Sequence, residues 1–138
     1  MPKIRCYKDS YYNDVRRVLK ESGLYYPDWD SRRNLKKKMT EDRRSVVVAV
    51  VDKKIIGVIY IVQDGCASFI FKLSVLKSHR KRGIGTMLLK HAEKTLKGCG
   101  KKDVSLFIKS GNKALLNYYK KLGFKKAKTY TEMYKALR

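Results

Sequence analysis

Acidic residues are scarce in this 138-residue chain. Only 12 Asp and Glu stand against 34 Lys and Arg, a formal net charge of +22. The deficit creates a field that attracts anions but does not name the anion. A nucleic-acid or ribosome surface, an acidic protein substrate and a merely solvated lysine-rich surface all remain open. The cations are spread from Arg32, Arg33, Lys36, Lys37 and Lys38 to Lys101, Lys102, Lys125, Lys126 and Lys128, and that scatter favours the solvated surface. Cysteine is scarce too. Cys6, Cys66 and Cys99 are odd in number, far apart and without paired metal spacing, which argues against a disulfide framework and a zinc site and reads them as reduced packing residues. No metal is expected. Long apolar runs are missing: Ile4 is the only aliphatic residue before Val15, and nothing approaches the ~20 residues of a membrane span. The expectation is a cytoplasmic protein with no membrane partner. With no repeats, low-complexity tracts or linkers, residues 1–138 read as one domain that can bury a real core.

What is present is a mixed α/β order. Ile4 to Tyr7 reads as a short strand, and Asp9 or Ser10 caps a helix whose Tyr11, Val15, Val18 and Leu19 form an apolar stripe ending at Ser22-Gly23. Tyr25 to Trp29 reads as irregular, and Asp30 to Lys38 as an exposed helix with Leu35 and Met39 inward. Ser45–Val51 and Ile55–Val62 form a hairpin about Asp52-Lys53-Lys54. Asp64-Gly65 then turns into a strand from Cys66 to Val75. A helix over Gly83–Lys97 stops at Gly98 and carries His91 on its apolar face, where a core histidine is expected. Asp103–Ile108 reads as a buried strand, Lys113–Leu122 as a helix, and Phe124–Lys128 with Thr131–Ala136 as a closing pair of strands. The order predicts a mixed sheet with helices on both faces.

The most informative stretch is Val75 to Leu89, in which extended apolar sequence breaks into a basic, glycine-containing turn and then opens an amphipathic helix. That order makes a phosphate cradle. Gly83 and Gly85 let the backbone approach a ligand, and the free N–H groups of the first helical turn carry the positive end of the dipole. Arg80, Lys81 and Arg82 add formal charge there. No Gly-Lys-Ser/Thr follows for a P-loop, and no third glycine for the dinucleotide fingerprint. The spacing Arg80-x-x-Gly83-x-Gly85 instead resembles the Gln/Arg-x-x-Gly-x-Gly/Ala signature of the GNAT acetyltransferases. A second segment agrees: Asn112, Tyr119 seven residues later, and Gly123-Phe124 four beyond that resemble the family's Asn...Tyr-x-x-x-Gly-Phe element.

The resemblance spans about Val46 to the end, and it implies an α/β (α+β) fold with a mixed, mostly antiparallel sheet splayed at its centre. It also implies acetyl-CoA as acyl donor. The pantetheine arm is expected in the splay, against the backbone of Leu73, Ser74 and Val75. The loop Arg80, Lys81, Arg82, Gly83, Ile84, Gly85 and Thr86 is expected at the pyrophosphate, and Asn112 at the cofactor, while Lys109 and Lys113 are either phosphate contacts or simply solvated.

An amine attacking a thioester needs a base to take its proton and an acid for the departing thiolate. A tyrosine suits the second task, because its pKa lies near that of a thiol, roughly 10 against 8.5. Tyr119 is the candidate acid, with Tyr118 as the fallback, and the alternative is that Leu115, Tyr118, Tyr119 and Leu122 form only the inward stripe of a helix. No base stands out. In the alanine-acetyltransferase branch a glutamate lies five residues before the motif asparagine, where this chain has Phe107, and the strand ending at Val75 carries no acid. Asp64, His79, Glu132 and a water chain remain. The resemblance thus implies transfer of acetyl to a primary amine, a protein N-terminus or lysine before a small amine. The net charge favours an acidic peptide or protein as acceptor. Two other classes stay open, a nucleic-acid-binding module and a catalytically silent CoA-binding domain.

Overall fold

In the computed structural model, which describes residues 1–137, the elements in chain order are β1 (Lys3–Cys6), α1 (Tyr12–Glu21), α2 (Pro27–Asp30), α3 (Arg32–Glu41), β2 (Val46–Val51), β3 (Lys54–Gln63), β4 (Ser68–Val75), α4 (Ile84–Gly98) and α5 (Lys113–Lys121). The chain forms two compact units, Met1–Phe107 and Ile108–Arg138.

The first unit is built on an antiparallel sheet in the order β1-β2-β3-β4. Asp52 and Lys53, both at positive φ, make the two-residue turn of the β2–β3 hairpin. In β3 every residue from Ile55 to Ile61 is buried. Because successive strand residues face opposite ways, burial without alternation means that both faces are covered. The pairing shows how. Gly57 pairs with Val75 and lies against Leu88 of α4, whose Cδ1 is 3.1 Å from where a Cβ would stand. Val58 pairs with Ser74, and the Ser74 hydroxyl donates to the Val18 carbonyl of α1 on the other face, at 3.3 Å. The mixed α/β class with helices on both faces is therefore present.

β4 contains a bulge. Val58 faces Ser74 but Tyr60 faces Phe71, so β4 spends one extra residue, and Lys72 takes a left-handed backbone with φ 58°. Its side chain turns inward to pair with Asp30 at 3.2 Å, lies 4.0 Å from the Tyr26 ring centroid and donates to the Leu24 carbonyl. Asp30 is fully buried. It also accepts from the Tyr60 hydroxyl and the Tyr26 amide, both at 2.8 Å, as a buried charge must. This closure makes Pro27–Asp30 a turn of helix where irregular chain is predicted.

Other expectations fail for identifiable reasons. Asp103–Ile108 is neither a strand nor buried: Ser105 makes one isolated parallel bridge to Phe69. The bulge at Lys72 interrupts the even spacing of edge groups that a parallel ladder requires. Phe124–Lys128 and Thr131–Ala136 form no strands, and Tyr130, Met133, Tyr134 and Leu137 are exposed. Their alternation signals a capacity to pair, but a ladder also needs burial to offset the entropy of ordering the chain. The cysteines are free as expected, yet Cys6 and Cys66 are exposed rather than packed, and the half-buried Cys99 sulfur accepts from Arg44 at 2.7 Å. Gly98 lies inside α4, and Gly100, at φ 82°, ends it. Among the described residues no helix is long and apolar enough to cross a membrane.

Candidate acyl-CoA site

The turn between β4 and α4 is organised by two left-handed residues, Lys81 (φ 64°) and Gly83 (φ 78°). Gly83 stands at the helix N-cap, and no side chain caps α4. The first-turn amides of such a helix have no intrahelical acceptors, and the dipole makes them a seat for anions. Nothing lies within 4 Å of where a Gly83 Cβ would stand, so the glycine is required by its backbone angle and leaves open space above the turn. Arg80, Lys81 and Arg82 are exposed around it, Ile84 is buried and anchors the helix, and Gly85 and Thr86 are half-buried. The three cations differ in employment. Arg80 donates to the Val75 carbonyl (2.8 Å) and to the Ser22 hydroxyl (3.2 Å), and Ser22 in turn bonds Ser74. It ties the end of β4 to the end of α1.

Leu73, Ser74 and Val75 lie just beyond the bulge. The parallel bridge lies behind it, at Phe69, and the sheet order ends at β4, so residues 72–75 have no strand on their outer edge among the described residues. An extended ligand could pair there. The Ser74 side chain is engaged inward, on Val18 and Ser22, and leaves only its backbone for that edge.

In the second unit Asn112 caps α5, its Oδ1 accepting from the Leu115 amide at 3.1 Å. The helix ends where Gly123 (φ 94°) donates to the Lys120 carbonyl and Phe124 to that of Tyr119, both at 3.1 Å, with the Tyr119 and Phe124 rings edge to face at 5.4 Å. That is a Schellman ending with its hydrophobic contact, and it gives the Tyr-x-x-x-Gly-Phe spacing a structural cause. Tyr119 is 7% exposed, and burial, with Tyr118 beside it, pushes its pKa up to about 12. It is a neutral phenol at any ordinary pH, as a proton donor must be. Lys109 and Lys113 are exposed.

Of the candidate bases, Asp64 accepts from the Cys66 and Ala67 amides, both at 2.7 Å, and those bonds hold its carboxyl below the usual range, so it shapes a turn. His79 bonds Ser78, and Glu132 is exposed in irregular chain. His91 is half-buried, and desolvation lowers its pKa. The sequence reading missed the Lys72–Asp30–Tyr60 network and the Arg80–Ser22–Ser74 tie. One signal for the first was available: Lys72 is a lone charge in the apolar run Ser68–Val75.

Comparison with known proteins fits this geometry. The profile of the acetyltransferase (GNAT) family matches residues 9–124, and the chain belongs to that family. It is 27% identical over 124 residues to the acetyltransferase SG1711 of Sodalis glossinidius (strain morsitans), covering 88% of this chain and 86% of that one. Among solved structures it is similar to the PaiA N-acetyltransferase of Thermoplasma acidophilum in complex with coenzyme A, with TM-score 0.83, 21% identity and coverage of 94% and 93%. It also resembles Ard1 of Thermoplasma volcanium, with TM-score 0.78, 21% identity and coverage of 89% and 82%. The fold is that of the GNAT acetyltransferases.

Proposed function

We propose that the chain transfers an acetyl group from acetyl-CoA to a primary amine, a protein N-terminus or lysine in preference to a small amine, in the cytoplasm and as one N-acyltransferase domain spanning residues 1–138. The observation that carries this reading is the α4 N-terminus, uncapped by any side chain behind a left-handed Gly83 and ringed by Arg80, Lys81 and Arg82. In a family member this is where a diphosphate seats, taking amides from Gly83 to Thr86 and charge from Lys81 and Arg82. The similarity to a protein crystallised with coenzyme A supports the ligand.

The other roles follow from what each group has to offer. Backbone groups of Leu73, Ser74 and Val75 pair with the amide-bearing arm. Arg80 holds that strand end in place through Val75 and Ser22. Asn112 contacts the cofactor through its amide nitrogen while its oxygen caps α5. Tyr119 donates to the departing sulfur, and its buried phenol strengthens that bond as charge develops. No carboxylate is assigned as base; water relays the ammonium proton. The test is an amine panel assayed for CoA release, alongside calorimetric titration of acetyl-CoA into the parent protein. Micromolar binding with release on peptide amines is expected. No release with any amine would overturn the enzymatic reading.

A further inference from the structure

We infer that a cavity between α1 and the segment after it is a subsite for an acidic side chain of the acceptor, which makes the substrate a peptide with Asp or Glu close to its amine. The inference rests on the acetyltransferase reading above. The cavity is open to solvent, has a volume of about 480 Å³ and is lined by Arg16, Lys20, Gly23, Tyr25 and Pro27, with both cations exposed. No lining residue is acidic. Arg16 and Lys20 stand four apart on one face of α1, an arrangement that repels, and both lie over the same Tyr25 ring at 5.5 and 5.4 Å. Their neighbour Arg17 is paired with Asp14. Among the described residues neither Arg16 nor Lys20 has a carboxylate partner. Two convergent cations against a ring, with no counter-charge supplied by the protein, are complementary to an anionic group.

The wall of the cavity is hydrogen-bonded to its surroundings and to β4. The Tyr25 hydroxyl bonds that of Tyr12 at 2.8 Å, and Tyr12 donates to the Asp30 carbonyl at 3.0 Å. Gly23 lies between Ser22, bonded to Ser74, and Leu24, whose carbonyl takes Lys72. The segment is therefore fastened to β4 at the bulge and just beyond it, next to the strand edge assigned to the thioester arm. An acceptor whose amine reaches that edge can rest an acidic side chain on Arg16 and Lys20, which suits an acidic peptide and disfavours a polyamine on charge.

The test uses the full chain and two N-terminal peptides that differ only as Asp-Glu against Asn-Gln, with equilibrium binding measured on the CoA-loaded protein and turnover measured with acetyl-CoA. The acidic peptide is expected to bind about tenfold tighter at low salt, with the preference shrinking as ionic strength rises. Arg16→Gln/Lys20→Gln should abolish the preference while acetyl-CoA affinity is retained. The charge reversal Arg16→Glu/Lys20→Glu should invert the preference toward a Lys-containing peptide. Equal binding of the two peptides, or an acidic preference that survives the double Gln variant, would overturn the subsite. Competition by inorganic phosphate without any peptide preference would reassign it to a free anion and overturn it as well. If the preference in binding holds but no peptide is acetylated, the subsite stands and the acetyltransferase reading fails.

Discussion

Helices α4 and α5 begin in opposite ways. At α5 Asn112 folds its side-chain oxygen onto the Leu115 amide and satisfies the first turn from within the chain. At α4 Gly83 offers no side chain, and the preceding residues are cations rather than the oxygen-bearing residues that cap helices. Helices α1 and α2 also start without a side-chain cap, and what sets α4 apart is the left-handed glycine at its start and the cations before it. On the proposed reading, the capped helix lends side chains to the site and the uncapped one lends its backbone.

The sharpest way to break that contrast is to remove what α5 contributes. Tyr119→Phe keeps the ring and its contact with Phe124 and deletes the hydroxyl, so the fold and cofactor affinity should persist. Single-turnover rates should fall by roughly 10²-fold, within the ~10²–10⁴ of general acid catalysis. Tyr118→Phe should lose far less. Equal rates for Tyr119→Phe and the parent would leave Tyr119 a packing residue. Gly83→Val attacks the other helix. It places a β-branched residue at φ 78° and a side chain over the amides, and loss of charge-assisted hydrogen bonds at about 1.5–3 kcal/mol each predicts at least tenfold weaker acetyl-CoA binding by calorimetry. Unchanged affinity in a folded variant would dismiss the cradle.

Asn112 tests whether a cap can also serve a ligand. Asn112→Ala should lower stability by about 1 kcal/mol, read as a fall in Tm. Asn112→Asp keeps a capping oxygen and loses the amide donor, so stability should hold while acetyl-CoA affinity drops several-fold. If affinity stays at the parent value, the side chain acts only as a cap. The smallest effect is in pH. Tyr7, Tyr12 and Tyr119 are each pushed up to about 12, chiefly by burial. A raised folded pKa favours the neutral phenol, so their contribution to stability is complete below pH 10 and is lost as pH climbs from 10 toward 12. Thermal melts should fall through that window, and Tyr119→Phe should remove one share of the fall.

The sheet through β4 and the helix after it were legible because their signals are local: β-branched runs, a turn at Asp52-Lys53, and glycine at the mouth of a helix. The Tyr119 spacing was legible for two reasons at once, since a Schellman ending fixes glycine four residues after the packed tyrosine whatever the tyrosine does. The strands expected at 103–108 and after Phe124 were not decidable from alternation alone, because pairing depends on what a neighbouring edge offers. Lys72, Asp30 and Tyr60 lie far apart in sequence, and no local pattern joins them. Pro27–Asp30 became helical only through that junction.

The bulge at Lys72 acts on β4 as a frameshift acts on a message. Before it, Phe69 and Phe71 share a face with Val62 and Tyr60; after it, the even-numbered Ser74 occupies that same face and Val75 turns to α4. Read in a single frame, Ser74 would side with Ser68 and Ile70, away from α1 and from Ser22. Flattening the bulge at constant length would therefore do more than straighten the strand. It would carry the first frame through Ser74 and Val75 and exchange what the two faces receive, a slip that the pairing of the lone lysine with buried Asp30 opposes.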